Sequence, residues 1–260
     1  VIGHPRRSLL LLGVVLLGVC LAYLVGAHEG PGFAALLDCV LNPFGNDQGT
    51  DSVDRFVLTQ IRLPRLLVAG FGGAAIAVAG AIMQSTFRNA LASPDLVGTA
   101  AGAAFGGALA LVLRLEGSVT VAVPLASLAG ATLVTAFVFV LGGSYGRFSV
   151  AGLLLAGVAL NTLVGALTAF AVTFRFDNYA ASSRVLYWLM GGLEGRTGEH
   201  VAITAGGFVL FGSLVRPRAR ELDLLTLRDD SAHSLGIDAQ RSRRVLLWFA
   251  CGLTATTVAN

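Results

Sequence analysis

Four histidines, three cysteines and fifteen carboxylates are the side chains in this 260-residue chain with the means to bind a metal or move a proton. The histidines, His4, His28, His200 and His233, stand far apart in the more polar segments, and none has the HExxH spacing of a zinc-binding helix. Cys20 and Cys251 lie in apolar runs and Cys39 in a polar one. No two have metal-ligand spacing, and one cysteine outside the apolar runs founds no disulfide framework. The chain has no lysine, so no glycine-rich segment ends in Gly-Lys-Ser or Gly-Lys-Thr, and it carries no phosphate loop of its own. A hydrolase working inside a membrane needs a nucleophile with a base on a facing helix, and the interiors of the apolar runs supply no base. Catalysis and a resident metal are both disfavoured. The polar residues that do fall into patterns are Arg62-Leu63-Pro64-Arg65, the block from Asn89 to Gly98, and the segment 216–244.

The elements that hold these patterns follow from composition. Hydrophobic residues make up 55% of the chain and charged residues 13%, about half the charge of a typical soluble domain. Mean hydropathy is +0.77, and the 33 glycines follow no collagen-like period. A disordered chain, a disulfide scaffold and an ordinary soluble enzyme are excluded, and the chain belongs in a bilayer. All 18 basic residues are arginine, and the isoelectric point is near 9.1. They are scattered between apolar runs rather than gathered on a face, which argues for membrane topology and against nucleic acid as their purpose.

A helix needs about 20 apolar residues to cross the hydrocarbon core. Runs at 8–27, 65–84, 96–113, 119–141 and 150–174 meet that length or approach it. The run at 201–215 is short and is extended by 198–200; a run at 245–259 begins a seventh span at the end of the chain. The expected fold is all-α: a polytopic transmembrane domain over 1–260 with six complete spans and the start of a seventh. The first run has a rival reading as a signal peptide, with His4–Arg7 before it and Val25-Gly26-Ala27 after it. Its apolar core is longer than the 7–15 residues of a signal, and further spans follow, so an uncleaved helix is expected.

With the N-terminus cytoplasmic and the spans alternating, eleven arginines fall inside and seven outside. That bias favours this orientation. Arg62 and Arg65 fall on the wrong side and need another reason. Two stripes of small residues, Gly98/Gly102/Gly106 and Gly70/Gly73/Ala77/Gly80, are expected to let neighbouring helix backbones approach closely.

The interiors of the second to fifth spans contain no Asp, Glu, Arg or His; their polar residues include Gln84, Asn161, Thr162 and Thr168. An ion-coupled carrier places a carboxylate or a broken helix near the midplane. Transport here would therefore draw its energy from outside the membrane. A passive pore, the alternative class, is not disfavoured by the same observation.

The segment 216–244 is the longest on the inner side. Leu224 and Leu227 stand three apart, Ala232 and Leu235 repeat that spacing, and Gly236 supplies a stop. Thr226 is expected to cap a second helix whose first turn holds Asp229 and Asp230. The reading is two short helices at the cytoplasmic face, either a docking surface for a soluble partner or a solvated connector.

From Arg62 onward these motifs, in this order, resemble the permease subunits of the FecCD type, the membrane half of bacterial ABC importers for iron–siderophore complexes, haem and cobalamin. The resemblance is carried by RLPR at 62–65, the stretch ending at Gln84, the block Asn89–Gly98, LLLAGVALN at 153–161, YWLMGGL at 187–193, and the loop at 221–238. It implies ten spans in the whole protein and a dimer of this chain with itself or a paralogue. It also implies two cytoplasmic ATPase subunits, which bind the ATP and Mg while this chain holds no cofactor, and a periplasmic or lipid-anchored substrate-binding protein.

The resemblance places ATPase coupling at Leu224, Leu227, Ala232, Leu235 and Gly236, and docking of the binding protein at Arg62 and Arg65. It places the gate and pathway at Asn89, Leu91, Ser149, Val150, Ala151, Leu155, Ala159 and Thr162, with Ala166 continuing the stripe. Ferric siderophore is the substrate it most readily implies, with haem and cobalamin as alternatives. Two departures stand out. Ala90 occupies a position where the family usually has proline, which removes a rigid φ from the gate segment. The chain also stops at Asn260 within its seventh span, where an apolar helix would leave carbonyls unsatisfied in lipid, so a fragment of a longer protein is expected.

Overall fold

The computed structural model describes residues 5–26, 36–38, 41, 50–113, 122–143, 150–173, 179–227 and 234–259. Among them every regular element is helical. Lipid leaves no other choice to an open chain, because each backbone N–H and C=O must find its partner within the segment. The chain divides into two compact units, residues 1–70 with 193–202 and residues 71–192 with 203–260.

In the first unit, α1 (Pro5–Val25) starts on proline, whose missing N–H costs nothing at a first turn. It ends at Gly26, whose left-handed backbone (φ +72°) returns an N–H to Ala22 O at 3.1 Å. Its stretch Arg7–Val25 is long and apolar enough to span a bilayer and buries none of its residues within the chain. The second helix begins well before residue 65, where the sequence placed it. α2 (Thr50–Phe56) passes through a π-helical turn (Val57–Arg62) into α3 (Leu63–Phe87), a continuous rod over Val53–Phe87. Pro64 explains both the expectation and its failure. Its ring crowds the carbonyl four residues back and it donates no hydrogen bond, which reads as a helix start. A widened π turn absorbs that crowding without breaking the rod.

The second unit holds the core. The third apolar run is not one helix. Pro94–Val97 forms a 3₁₀ turn, Gly98 turns left-handed at φ +80°, and only then does α4 (Thr99–Val112) begin. At 14 residues α4 is about 21 Å long, short of the roughly 30 Å hydrocarbon thickness. α5 (Ala122–Gly143), α6 (Val150–Thr173) and the short α7 (Tyr179–Leu189) follow. α8 (Gly198–Val215) continues through a 3₁₀ turn (Arg216–Arg218) into α9 (Ala219–Leu225), and α10 (Ala239–Val258) closes the described chain. Among the described residues, five helical segments are long and apolar enough to cross a membrane, and α4 is a shorter apolar helix beside them.

The glycine stripe of the third run does what its spacing requires. A Cβ on Gly102 or Gly106 would strike the α5 backbone at Gly130 or Ala126, so α4 and α5 meet backbone to backbone. The glycines of the other stripe pack against none of the described residues. A methyl group added at Gly70, Gly73 or Gly80 would meet nothing within 4 Å, and Ala77 is exposed. The buried face of α3 runs instead through Ala75, Ala79, Ile82, Met83 and Phe87, at the i, i+4, i+7 spacing of a helix turned to a core. That core is completed by α10, where Leu246, Leu247, Ala250, Cys251 and Leu253 are all buried. The seventh run, a stub in the sequence, is the centre of the unit.

Several threonines in these helices satisfy their hydroxyls locally, whereas the buried hydroxyls of Thr86 and Ser127 make no hydrogen bond among the described residues. Thr162, Thr168, Thr173 and Thr254 each donate to the carbonyl four residues back, at 2.8–2.9 Å. Thr135 and Thr99 share a 3.1 Å hydrogen bond, and Thr99 donates onward to Cys251 Sγ at 3.2 Å, which joins α5, α4 and α10.

Candidate gate and coupling segment

The turn between α3 and α4 is built by side chains that hold their own backbone. After Phe87 the Asn89 N–H returns to Gln84 O at 3.1 Å, the six-to-one bond of a helix-closing motif, with Arg88 in left-handed backbone at φ +50°. Asn89 then closes a tight turn: its Oδ1 accepts from Leu91 N–H at 2.9 Å and its carbonyl from Ala92 N–H at 3.0 Å. Leu91 is lifted out at the crest, 89% exposed. Residue 90 is alanine and fixes no φ, so the rigidity of the turn comes from Asn89.

α6 bears on the far side of the turn. Asn161 Nδ2 donates to Asp95 O at 2.8 Å, and Gly157 lies so close to the Leu96 carbonyl that a side chain there would collide with it. The face of α6 toward the core carries Leu153, with Ala156 and Leu160 packed beside it, and Val164 and Thr168 are buried further along the helix. Ala151, Leu155, Ala159, Thr162 and Ala166 share the opposite, exposed face, with Leu155 exposed by 75%. Val150 begins the helix; Ser149 lies outside the described residues.

Beside that face an open groove of about 490 Å³ runs between α4, α6 and α7, lined by Ala101, Ala104, Gly165, Ala169, Val172 and Leu186 among others. The sequence reading did not identify it. Its signal is the coincidence of small residues on α4 and α6, which is invisible until the two helices are paired.

In the segment read as coupling helices, the structure places the first. α9 carries an Arg218–Glu221 ion pair at 3.1 Å near its start and ends at Thr226, whose hydroxyl donates to Asp223 O at 2.6 Å. Thr226 therefore closes the helix before it, and Asp229 and Asp230, which it was expected to cap, lie outside the described residues. Leu222 and Leu225 face the core, Leu225 completely buried, while Leu224 is half-buried and Leu227 exposed. Leu235 is exposed, and Gly236 turns left-handed at φ +83°. Ala232 is outside the described residues. Asp238 caps α10, its Oδ1 accepting from Gln240 and Arg241 N–H at 3.0 Å each. Arg88 connects the two regions: its Nε donates to Leu225 O at 3.0 Å.

In the first unit, Arg62 Nη1 donates to the carbonyls of Tyr23 (3.1 Å) and Leu24 (2.9 Å), the unsatisfied end of α1. A cation at a helix C-terminus is favoured by the helix dipole as well. Arg65 Nε donates to Leu193 O at 3.1 Å. Both arginines that contradicted the topological bias thus have partners within the chain. Among the described residues no cluster of three His, Cys, Asp or Glu is placed to hold a metal.

Comparison with known proteins agrees over nearly the whole length. The chain is 35% identical over 212 residues to the cobalamin import system permease protein BtuC of Halobacterium salinarum, covering 81% of this chain and 56% of that protein. It is 34% identical over 251 residues to the Fe(3+)-citrate import system permease protein YfmE of Bacillus subtilis, covering 96% and 73%. It is 37% identical over 206 residues to the Fe(3+) dicitrate transport system permease protein FecD of Escherichia coli, covering 78% and 62%. The chain therefore spans between 56% and 73% of the length of these relatives. A solved structure described as a metal-chelate type ABC transporter in an inward-facing conformation superposes with a TM-score of 0.79 at 26% identity, over 97% of this chain and 75% of the other. With residues 11–260 matching its profile, the chain belongs to the FecCD transport family.

Proposed function

We propose that this chain forms the membrane pathway of an ABC importer for an iron chelate of the ferric siderophore class, with haem and cobalamin as the alternatives within the family. The observation that carries the reading is the family match over residues 11–260 on helices whose interiors hold no ionisable group able to couple an ion gradient. Of the relatives above, two are named for iron citrate and one for cobalamin, so the names support the importer class, and the iron chelate is our choice within it.

In this reading the chain is a single transmembrane domain in the cytoplasmic membrane, N-terminus inside, and performs no chemistry itself. A second permease subunit, identical or paralogous, completes the pathway. Two ATPase subunits bind ATP and Mg and supply the energy, and an external binding protein delivers the substrate to the side bearing Arg62 and Arg65. The segment 221–238 rests on the ATPase through Leu224, Leu227, Ala232, Leu235 and Gly236. The turn at Asn89 and Leu91, with Ser149, Val150 and Ala151, forms the inner gate, and Leu155, Ala159 and Thr162 line the path. ATP binding closes the ATPases, the coupling helices carry the movement inward, and α6 shifts against the turn it touches through Asn161.

Reconstitution of the full-length permease with its ATPase and binding protein in liposomes tests this. ATP-dependent uptake of ferric citrate, haemin or cyanocobalamin is the expected result. Uptake by the permease alone, unaffected by ATP, would replace the importer with the passive pore.

A further inference from the structure

α3 ends on a residue that local backbone energetics disfavour. A helix closed by the six-to-one bond puts its next residue in left-handed backbone, where glycine is the usual occupant because any Cβ is penalised. Here that residue is Arg88, at φ +50° the one non-glycine residue with positive φ among those described. Glycine would serve the turn better, so an arginine held in this conformation points to its side chain. The guanidinium reaches 137 residues along the chain to donate from Nε to Leu225 O at 3.0 Å. That carbonyl belongs to the last turn of α9, where carbonyls lack helical partners and a cation is favoured. The Leu225 side chain is completely buried in the same apolar cluster as Phe87 and Ala92, which flank the turn. On its other side Arg88 runs directly into Asn89, whose side chain and carbonyl hold Leu91 and Ala92.

We propose that Arg88 is the positioning residue that makes α9 and the turn Asn89–Ala92 move as one body. A shift of α9 is passed through the guanidinium to the Arg88 backbone and so to the crest at Leu91. The meaning of that link for transport rests on the reading of α9 as a coupling helix and of the turn as a gate. The link itself does not depend on that reading.

Arg88→Gly is the informative variant, because it removes the guanidinium while relieving the backbone, so the two effects offset and the protein is expected to melt close to wild type. Hydrogen exchange on the full-length protein reads the link directly. Exchange of the Leu91 and Ala92 amides and of the Thr226 and Leu227 amides is expected to rise together by about tenfold in Arg88→Gly, with the α4 amides unchanged. Exchange unaltered at either segment overturns the proposal.

In liposomes with the ATPase and binding protein, ferric citrate imported per ATP hydrolysed is expected to fall about fivefold in Arg88→Gly, with partial rescue in Arg88→Lys. Wild-type stoichiometry in Arg88→Gly overturns the transmission role. A wild-type protein that imports nothing refutes the importer reading instead, and the exchange experiment still decides the link.

Discussion

Replacing Gly106 with alanine is expected to destabilise the second unit, although the same change on an isolated helix is favourable by about 1 kcal/mol. A Cβ at Gly106 falls inside contact distance of the Ala126 carbonyl and 3.3 Å from Gly130 Cα. Both are backbone atoms, and Gly130 is itself pressed against Gly102 O, so no side chain can turn aside to make room. α5 must move away from α4 as a body by roughly 1 Å, and a gap of that size forfeits about a quarter to a half of each dispersion contact along the seam. Overpacking of this kind costs about 1–3 kcal/mol, which leaves a net loss of about 0–2 kcal/mol once the helix preference is subtracted.

Gly73→Ala is the matched control, since no described residue lies within 4 Å of its Cβ position. It is expected to be neutral or stabilising by up to about 1 kcal/mol. The two variants should therefore differ by about 2 kcal/mol, roughly thirtyfold in the folded-to-unfolded ratio. Equilibrium unfolding of the full-length protein in mixed detergent and SDS micelles measures this difference. Equal stabilities for the two variants would falsify the backbone-to-backbone packing of α4 on α5.

Four further substitutions separate the roles assigned above. Arg62→Ala removes a charged donor from the last carbonyls of α1, at about 1–2 kcal/mol. Amide exchange at residues 22–26 should rise without any binding protein present, and no change there would leave external docking as the role of Arg62. Asn161→Leu loses the tie from α6 to the turn, but Asp95 O still accepts from Gly98 N–H at 3.1 Å and is not orphaned. Stability should fall by only about 1 kcal/mol while uptake falls further, and a parallel loss of both would make Asn161 a purely structural residue. Leu235→Asp, at an exposed position, should abolish ATP hydrolysis stimulated by substrate yet insert normally, whereas Leu225→Asp, completely buried, should fail to accumulate at all. Normal coupling in Leu235→Asp would remove that residue from the docking surface.

How far the sequence carries the fold depends on what each feature needs to be visible. Helices in lipid are legible because their apolar length is set by the bilayer and their backbone needs no partner. Interruptions inside an apolar run are not, since Gly98 reads equally as a packing glycine and as a left-handed break. The stripe at Gly102 and Gly106 packs and the stripe at Gly73 does not, yet both satisfy the same spacing rule. Spacing identifies a face that is able to take a close neighbour; which face receives one depends on the other helices. For the same reason α10 looked like a remnant. Its arginines and threonines lower its hydropathy, but Asp238 caps the helix and Thr254 bonds its own backbone, so the helix can be buried more deeply than its composition implies.

The candidate site divides along the same line. Positions recognised by motif, such as Asn89, Asn161 and the α9 leucines, lie on elements that touch one another, yet the polar ties among them run to backbone groups rather than to side chains. Arg62, Arg65, Arg88 and Asn161 each donate to a carbonyl at a helix end or turn far away in sequence, and a carbonyl has no residue type to give it away. Such bonds suit the rearrangement that the proposed importer would require. A carboxylate partner would add a buried charge that has to be neutralised in every state, whereas the end of a helix offers an acceptor already paid for by the fold. Arg62 and Arg65, which run against the topological bias, and Arg88, which does not, all tie elements together, so in this chain an arginine beside a helix terminus is the feature from which such a tie should be sought.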